Sequence, residues 1–278
     1  MQSLFGWFRI LGLVLAVLAI PVHAANVLIL DDNYGTEVEN DLESAGHTVT
    51  SVLYYDWDGS NPSPAGFDAV LLLKGYDYGY ELGDDAGSPA YTALIQFIQN
   101  GGIFASTEWL IYDMDDAYNL ALDPYVPFDY TSYTDYNYSG SYTVLQPGHP
   151  LAANLPGSWD APVSADGGSC AALKPGAVVV ISRSMDEYIQ DCMDAFALAY
   201  VVIGNGVSIH LNSDLGHEDD EDASAQLLQI IRNIVTFQPA GVGVGVSVPT
   251  LSFWSLILLC GLVGLVGVRR LTRRGYRL

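Results

Sequence analysis

The chain has 278 residues, half of them apolar, with 10 Lys and Arg against 32 Asp and Glu, a formal charge of −22. An apolar share of that size can bury a core and excludes intrinsic disorder. So negative a charge excludes a nucleic-acid partner, whose phosphates it would repel. The average conceals three unlike segments: six of the ten basic residues, Arg9, Arg269, Arg270, Arg273, Arg274 and Arg277, lie at the two ends, and every acidic residue lies between Asp31 and Asp222. Four basic residues against 32 acidic ones leave the middle at −28, the balance of an acidic soluble domain.

Residues 1–24 place Arg9 before an apolar run, then the helix-breaking Pro21 and the small or aliphatic Val22 and Ala24. That order predicts a secretory signal peptide cleaved after Ala24. The next segment, 25–238, is long enough for one α/β domain. Asn26 to Asp32 (NVLILDD) is a continuous apolar run ending in carboxylates and predicts a parallel strand buried on both sides. Val38, Leu42 and Ala45 recur at helical spacing over Thr36 to Ala45, with Thr36 as expected N-cap and Gly46 as the stop. Strands are predicted at Thr48 to Tyr54, Phe67 to Lys74 and Gly101 to Ser106, with a helix at Ala90 to Gln99. Further strands fall at Ala177 to Arg183, Phe196 to Ile203 and Val207 to Asn212, the last two joined by the hairpin signal Gly204-Asn205-Gly206, and a helix closes the domain over Ala223 to Val235. Alternation of this kind predicts a mostly parallel sheet with helices on both faces, the flavodoxin-like arrangement.

Ligands of open parallel sheets bind beyond the carboxyl ends of the strands. Asp31 and Asp32, Glu108, and Asp214 with His217 are expected on that edge, either as a polar cleft or as solvated strand-end acids. Ser106 and Thr107 read as hydroxyls that satisfy backbone groups, and His149, in a Pro-Gly-His-Pro turn, reads as a backbone cap. His217 sits among carboxylates that favour its charged form and make it a poor base. Asp56, Asp58 and Asn61 space oxygen ligands like the start of a calcium loop, although the distal Glu of an EF-hand is missing. Between 118 and 142 lie seven tyrosines, among them Tyr130, Tyr133 and Tyr136, which suit either an insertion folded over the sheet edge or a surface for a glycan or an envelope protein. Cys170 and Cys192 are the only cysteines of the domain, and in an oxidising compartment a bridge between them would contribute ~3 kcal/mol.

A Gly/Val linker, 239–247, leads to an uncharged run from Leu251 to Val268, long enough to span a bilayer as a helix, and then to the arginine cluster, which belongs on the cytoplasmic side. Val248, Pro249, Thr250, Leu251, Ser252 and Trp254, followed by that run and those arginines, resemble an IPTL-CTERM sorting signal, here 248–278. The resemblance implies an exported protein, held transiently in the inner membrane until an exosortase-type transpeptidase acts on it at the periplasm or cell surface. The domain resembles the glutamine-amidotransferase-like superfamily, particularly its ThuA-like branch, through NVLILDD, NGGIFAS, GHPLAANLP (148–156) and IHLNSDLGHE (209–218). In active members of that superfamily a Cys nucleophile follows a central strand; the corresponding turn here is Ala105-Ser106-Thr107-Glu108, without one. The expectation is therefore a binding or structural module with no cofactor. The alternative is a Ser- or carboxylate-dependent hydrolase acting on carbohydrate through Ser106, Glu108 and His217.

Overall fold

The computed structural model describes residues 24–32, 35–74, 79–137, 141–160, 168–184, 196–213, 215 and 223–238. All lie in the first of two compact units, Met1–Val242 and Gly243–Leu278. Among the described residues no helix is long and apolar enough to cross a membrane. The run at 251–268 and residues 1–23 lie outside them.

In chain order the elements are β1 (Asn26–Asp31), α1 (Thr36–Ser44), β2 (Thr48–Leu53), β3 (Ala69–Leu73), α2 (Pro89–Gln99), β4 (Ile103–Ser106), α3 (Trp109–Asp115), β5 (Phe128–Asn137), β6 (Ser141–Val144), β7 (Ser158–Asp160), β8 (Gly168–Leu173), β9 (Val178–Arg183), β10 (Phe196–Ile203), β11 (Gly206–Leu211) and α4 (Ala225–Val235). The main sheet runs β2-β1-β3-β4-β11-β10-β9-β6-β7. Its first five strands are mutually parallel and the remaining four antiparallel, so the fold is α/β with a mixed sheet. The Gly204-Asn205-Gly206 signal makes the β10–β11 hairpin. Gly206 cannot be replaced there, since a Cβ would stand 1.9 Å from the Ile98 carbonyl oxygen.

Strand alternation explains the two cores. Val27 and Ile29, Leu71, Ala105, and Val207, Ile209 and Leu211 face one way, under Val38 and Leu42 of α1 and Leu227, Ile230 and Ile234 of α4. Leu28 and Leu30, Leu72 and Phe104 face the other, under Leu94 and Ile98 of α2, Leu110 and Met114 of α3, and Phe128 of β5. Helices therefore cover both faces, and β3 (AVLLL) is apolar and buried along its whole length because neither side meets water, whereas the edge strand β2 (TVTSVL) is only partly buried. An ion pair at 2.6 Å between Arg232 and Asp41 ties α4 to α1.

One local expectation is corrected, and two elements were not anticipated. Thr36 is the first helical residue and not the N-cap; Gly35 caps α1, and its N–H donates to the Asp31 carboxylate at 3.2 Å. Trp109–Asp115, which carries too few residues for a clear helical period, is a helix. Much of the tyrosine-rich stretch is strand: β5 pairs antiparallel with β8 in a separate two-stranded sheet, and β6 joins the main sheet near its edge. His149 does cap, its Nδ1 accepting the Leu151 N–H at 3.2 Å.

Candidate functional site at the carboxyl edge of the sheet

The parallel strands end together, and their last residues are polar but buried. Asp31 (6% exposed) ends β1 and Asp32 (2%) follows it, Lys74 (1%) follows β3, Ser106 ends β4 and Thr107 and Glu108 follow it (1% each), and Asn212 and Ser213 follow β11. Asp31 serves the fold: its Oδ2 accepts from Gly35 N–H and from Ser51 Oγ, both at 3.2 Å. The Glu108 N–H donates to the Ser213 carbonyl at 3.0 Å and so joins the ends of β4 and β11. Thr107 Oγ1 donates to the Lys74 carbonyl at 3.4 Å, the backbone-satisfying role expected of it.

Ser106 departs from that expectation. In the parallel register of β4 and β11 it stands directly opposite His210, and its Oγ lies 2.9 Å from His210 Nδ1. The His210 ring is fully buried between Phe128, 4.5 Å away by ring centroids, and Phe196, 5.9 Å away. Burial pulls its pKa down to about 3, because an imidazolium there would lose its water and gain no counter-charge. Among the described residues its Nε2 has no hydrogen-bond partner. The histidine that meets Ser106 is thus His210, whereas the sequence pointed to His217; His217 and Asp214 lie outside the described residues.

A second buried cluster was not anticipated. The Lys74 ammonium is ion-paired with Asp113, donates to the Tyr80 carbonyl at 2.9 Å and lies 4.4 Å from the centre of the Tyr54 ring. Asp113 also accepts from Gly79 N–H at 3.0 Å and from Asn119 Nδ2 at 3.2 Å. Asn119 is held at φ 55°; the Tyr91 hydroxyl donates to Glu81 and lies 2.8 Å from Asn119 Oδ1, and the Asn119 N–H also donates to Glu81. Burial pulls the Lys74 ammonium down and pushes the Asp113 carboxyl up, while each partner's charge opposes the other's shift. Burial, reinforced by Glu81, raises the Tyr91 phenol far above its ordinary value. The available signal was Lys74 itself, one of two lysines in the chain and a cation ending an apolar strand.

The other expected site residues are dispersed. Tyr130 is half-buried against the second core; Tyr133 and Tyr136 lie along β5. Asp56, Asp58 and Asn61 are exposed. Asp58 Oδ1 accepts from both the N–H and the hydroxyl of Ser60 at 2.8 Å, which holds its carboxyl below the usual range. Among the described residues no group of three or more His, Cys, Asp and Glu side chains is placed to hold a metal ion. Cys170 is buried, and Cys192, its expected bridge partner, lies outside the described residues.

A parallel half-sheet with polar but closed strand ends, extended by an antiparallel half, defines an α/β domain of the ThuA-like fold. It is similar to a ThuA-like protein of Bacteroides uniformis (15% identity, 78% of this chain and 94% of that one, TM-score 0.53). A cytoplasmic protein of Salmonella typhimurium is also similar (13%, 77% and 98%, TM-score 0.56), as is part of Agd3, a carbohydrate deacetylase (10%, 77% and 33%, TM-score 0.53). At these identities the likeness is one of fold alone. No curated protein matches the chain in sequence. The particular mark of this chain is at its end: residues 246–274 are an IPTL-CTERM motif, a sorting signal of exported, surface-directed proteins.

Proposed function

We propose that the chain is an exported, envelope-displayed binding or structural module without catalytic activity, anchored through its tail until an exosortase-type transpeptidase processes it. The export part rests on the IPTL-CTERM motif. The non-catalytic part is carried by one observation: the hydroxyl after the central strand, Ser106, is 1% exposed and bonded to a histidine that is 0% exposed. A nucleophile must come within about 3–3.5 Å of a carbonyl carbon, and burial of both groups denies a substrate that approach. In this reading 1–24 is the signal peptide, 25–238 the displayed domain, 239–247 the linker and 248–278 the sorting signal with its membrane span at 251–268. Cys192 closes the bridge to Cys170. A glycan or an envelope protein would meet the domain through Asp31, Asp32 and Asp214 or through the tyrosines Tyr130, Tyr133 and Tyr136.

In a host that carries the sorting transpeptidase, mass spectrometry of the envelope protein is expected to show a chain lacking the arginine cluster. Deleting 246–278 is expected to release the domain in soluble form. A tail that stays intact in wild-type cells and is unaffected by loss of the transpeptidase removes the proposal.

The 2.9 Å contact between Ser106 Oγ and His210 Nδ1 favours one other reading, a serine-dependent hydrolase acting on carbohydrate esters with His210 as base. Exposure to a fluorophosphonate separates the two. The closed geometry predicts no Ser106 adduct in the folded protein; a stoichiometric adduct that Ser106→Ala abolishes would establish the hydrolase instead.

A further inference from the structure

The first residues of the domain are held more tightly than a chain entry needs to be. Ala24 is exposed, but Ala25 beside it is 2% exposed. The Ala25 N–H donates to Nδ1 of the buried His47 at 3.1 Å, and its carbonyl accepts the Thr48 N–H at 3.0 Å. Asn26 is locked in the same way: its N–H donates to Asp68 Oδ2 and its carbonyl accepts the Asp68 N–H, both at 2.8 Å. Gly46, at φ 93°, turns the chain at the end of α1, and the His47 N–H then bonds the Leu42 carbonyl, so the imidazole acceptor stands on a fixed turn. A side-chain acceptor for the first nitrogen of a strand is unusual equipment, since the strand ladder begins only at Asn26.

The sequence puts the end of the signal peptide between Ala24 and Ala25. We infer that this cut makes the Ala25 nitrogen a terminal amino group for which His47 is the built-in acceptor, and that the cut must precede folding of β1. Hydrolysis adds water across the Ala24–Ala25 bond: the hydroxyl goes to the Ala24 acyl carbon, and the Ala25 nitrogen leaves as an amine that becomes an ammonium at neutral pH. An ammonium has three donors where the amide had one. One is met by the imidazole Nδ1 lone pair, which limits the cost of holding a charge at the edge of the core. The order of events follows from the four hydrogen bonds on Ala25 and Asn26. A peptidase binds the residues flanking the scissile bond in extended, accessible form, and both residues after this bond are engaged once β1 has formed. A precursor that folds first keeps its leader and stays anchored.

The mature domain suits a direct test, because its only amines are the Ala25 terminus, the buried Lys74 and Lys174, whose side chain is 25% exposed. Protein exported and processed by its host is pulsed with an amine-acylating ester at pH 7.5, folded and in urea, and mapped by peptide mass. The amino terminus is expected to begin at Ala25 and to react at least ~10-fold more slowly folded than in urea, although an unprotected α-amine, with pKa near 7.7–8.0, is the most reactive of the three. His47→Leu should bring the folded rate close to the urea rate, and His47→Gln, which keeps an acceptor, should preserve protection. If His47→Leu does not fold, the wild-type ratio and the glutamine variant decide. A folded Ala25 amine as reactive as in urea, or a terminus elsewhere, overturns the inference. So does a folded precursor that purified signal peptidase cuts as fast as the unfolded one. Fast labelling of a chain that does begin at Ala25 would sink the docking while leaving the export reading intact.

Discussion

Asp113→Ala is expected to lower the unfolding free energy by about 3–5 kcal/mol, the cost of leaving a buried charge without its partner. Lys74 is 1% exposed and Asp113 0%, so water cannot take the place of the lost carboxylate; the Tyr80 carbonyl and the Tyr54 ring are neutral, and Asp32 and Glu81 act on Lys74 more weakly than Asp113 does. For a domain of this size that corresponds to a fall in Tm of roughly 6–20 °C. Lys74→Met should cost less, since Asp113 keeps donors in Gly79 N–H and Asn119 Nδ2 and can take up a proton, which its raised pKa favours. The double variant Lys74→Met/Asp113→Leu should recover a large part of the loss, because a buried pair repays little beyond its own desolvation. Urea denaturation of the three variants checks this. An Asp113→Ala protein within about 1 kcal/mol of wild type would mean that the cluster is wet and the pair dispensable.

The second large effect is acid sensitivity through His210. Its folded pKa is about 3 against an ordinary 6.5, so between those values the unfolded chain binds a proton that the native chain refuses. Unfolding then takes up a proton, and stability falls as pH falls. The contribution is fully present above pH 6.5, declines by about 1.4 kcal/mol per pH unit below it, and reaches a loss on the order of 4–5 kcal/mol near pH 3. His210→Asn keeps a polar atom near the position of Nδ1 but does not titrate. Its stability should therefore depend on pH less steeply by about one proton between pH 4 and 6, whatever its absolute stability. Equal slopes for the two proteins in denaturant titrations across that range would show that His210 reaches solvent, and the Ser106–His210 pair would regain standing as chemistry.

The parts of the fold that were legible are those with a local signal. β1, β3 and β4 are apolar runs, α1, α2 and α4 carry helical spacing, and β10 with β11 is announced by Gly-Asn-Gly. The antiparallel half of the sheet was harder to see. β5 is a ten-residue strand rich in Tyr, Thr and Asp, whose alternation is blurred by register shifts in its pairing with β8. The site was legible as a place and not as a set of partners. Strand ends had to converge, so Asp31, Asp32, Ser106 and Glu108 were expected at one edge, and they lie there buried. Lys74 had to be matched with Asp113, 39 positions away and on a helix that the sequence barely marks.

By itself the sequence determined destination and class: charge asymmetry, the tail motif at 246–274 and alternating strands and helices are all properties of contiguous residues. Only the tertiary structure decided which histidine meets Ser106. His210 lies in an apolar strand run and His217 among carboxylates, but neither local setting says which residue stands opposite Ser106. The choice follows from the register of β11 against β4, which places residue 210 opposite residue 106, and from the period of two that turns Val207, Ile209 and Leu211 to one face and His210 to the other. Register is a relation between segments about a hundred residues apart, held by packing across both faces of the sheet, and no window of the chain contains it.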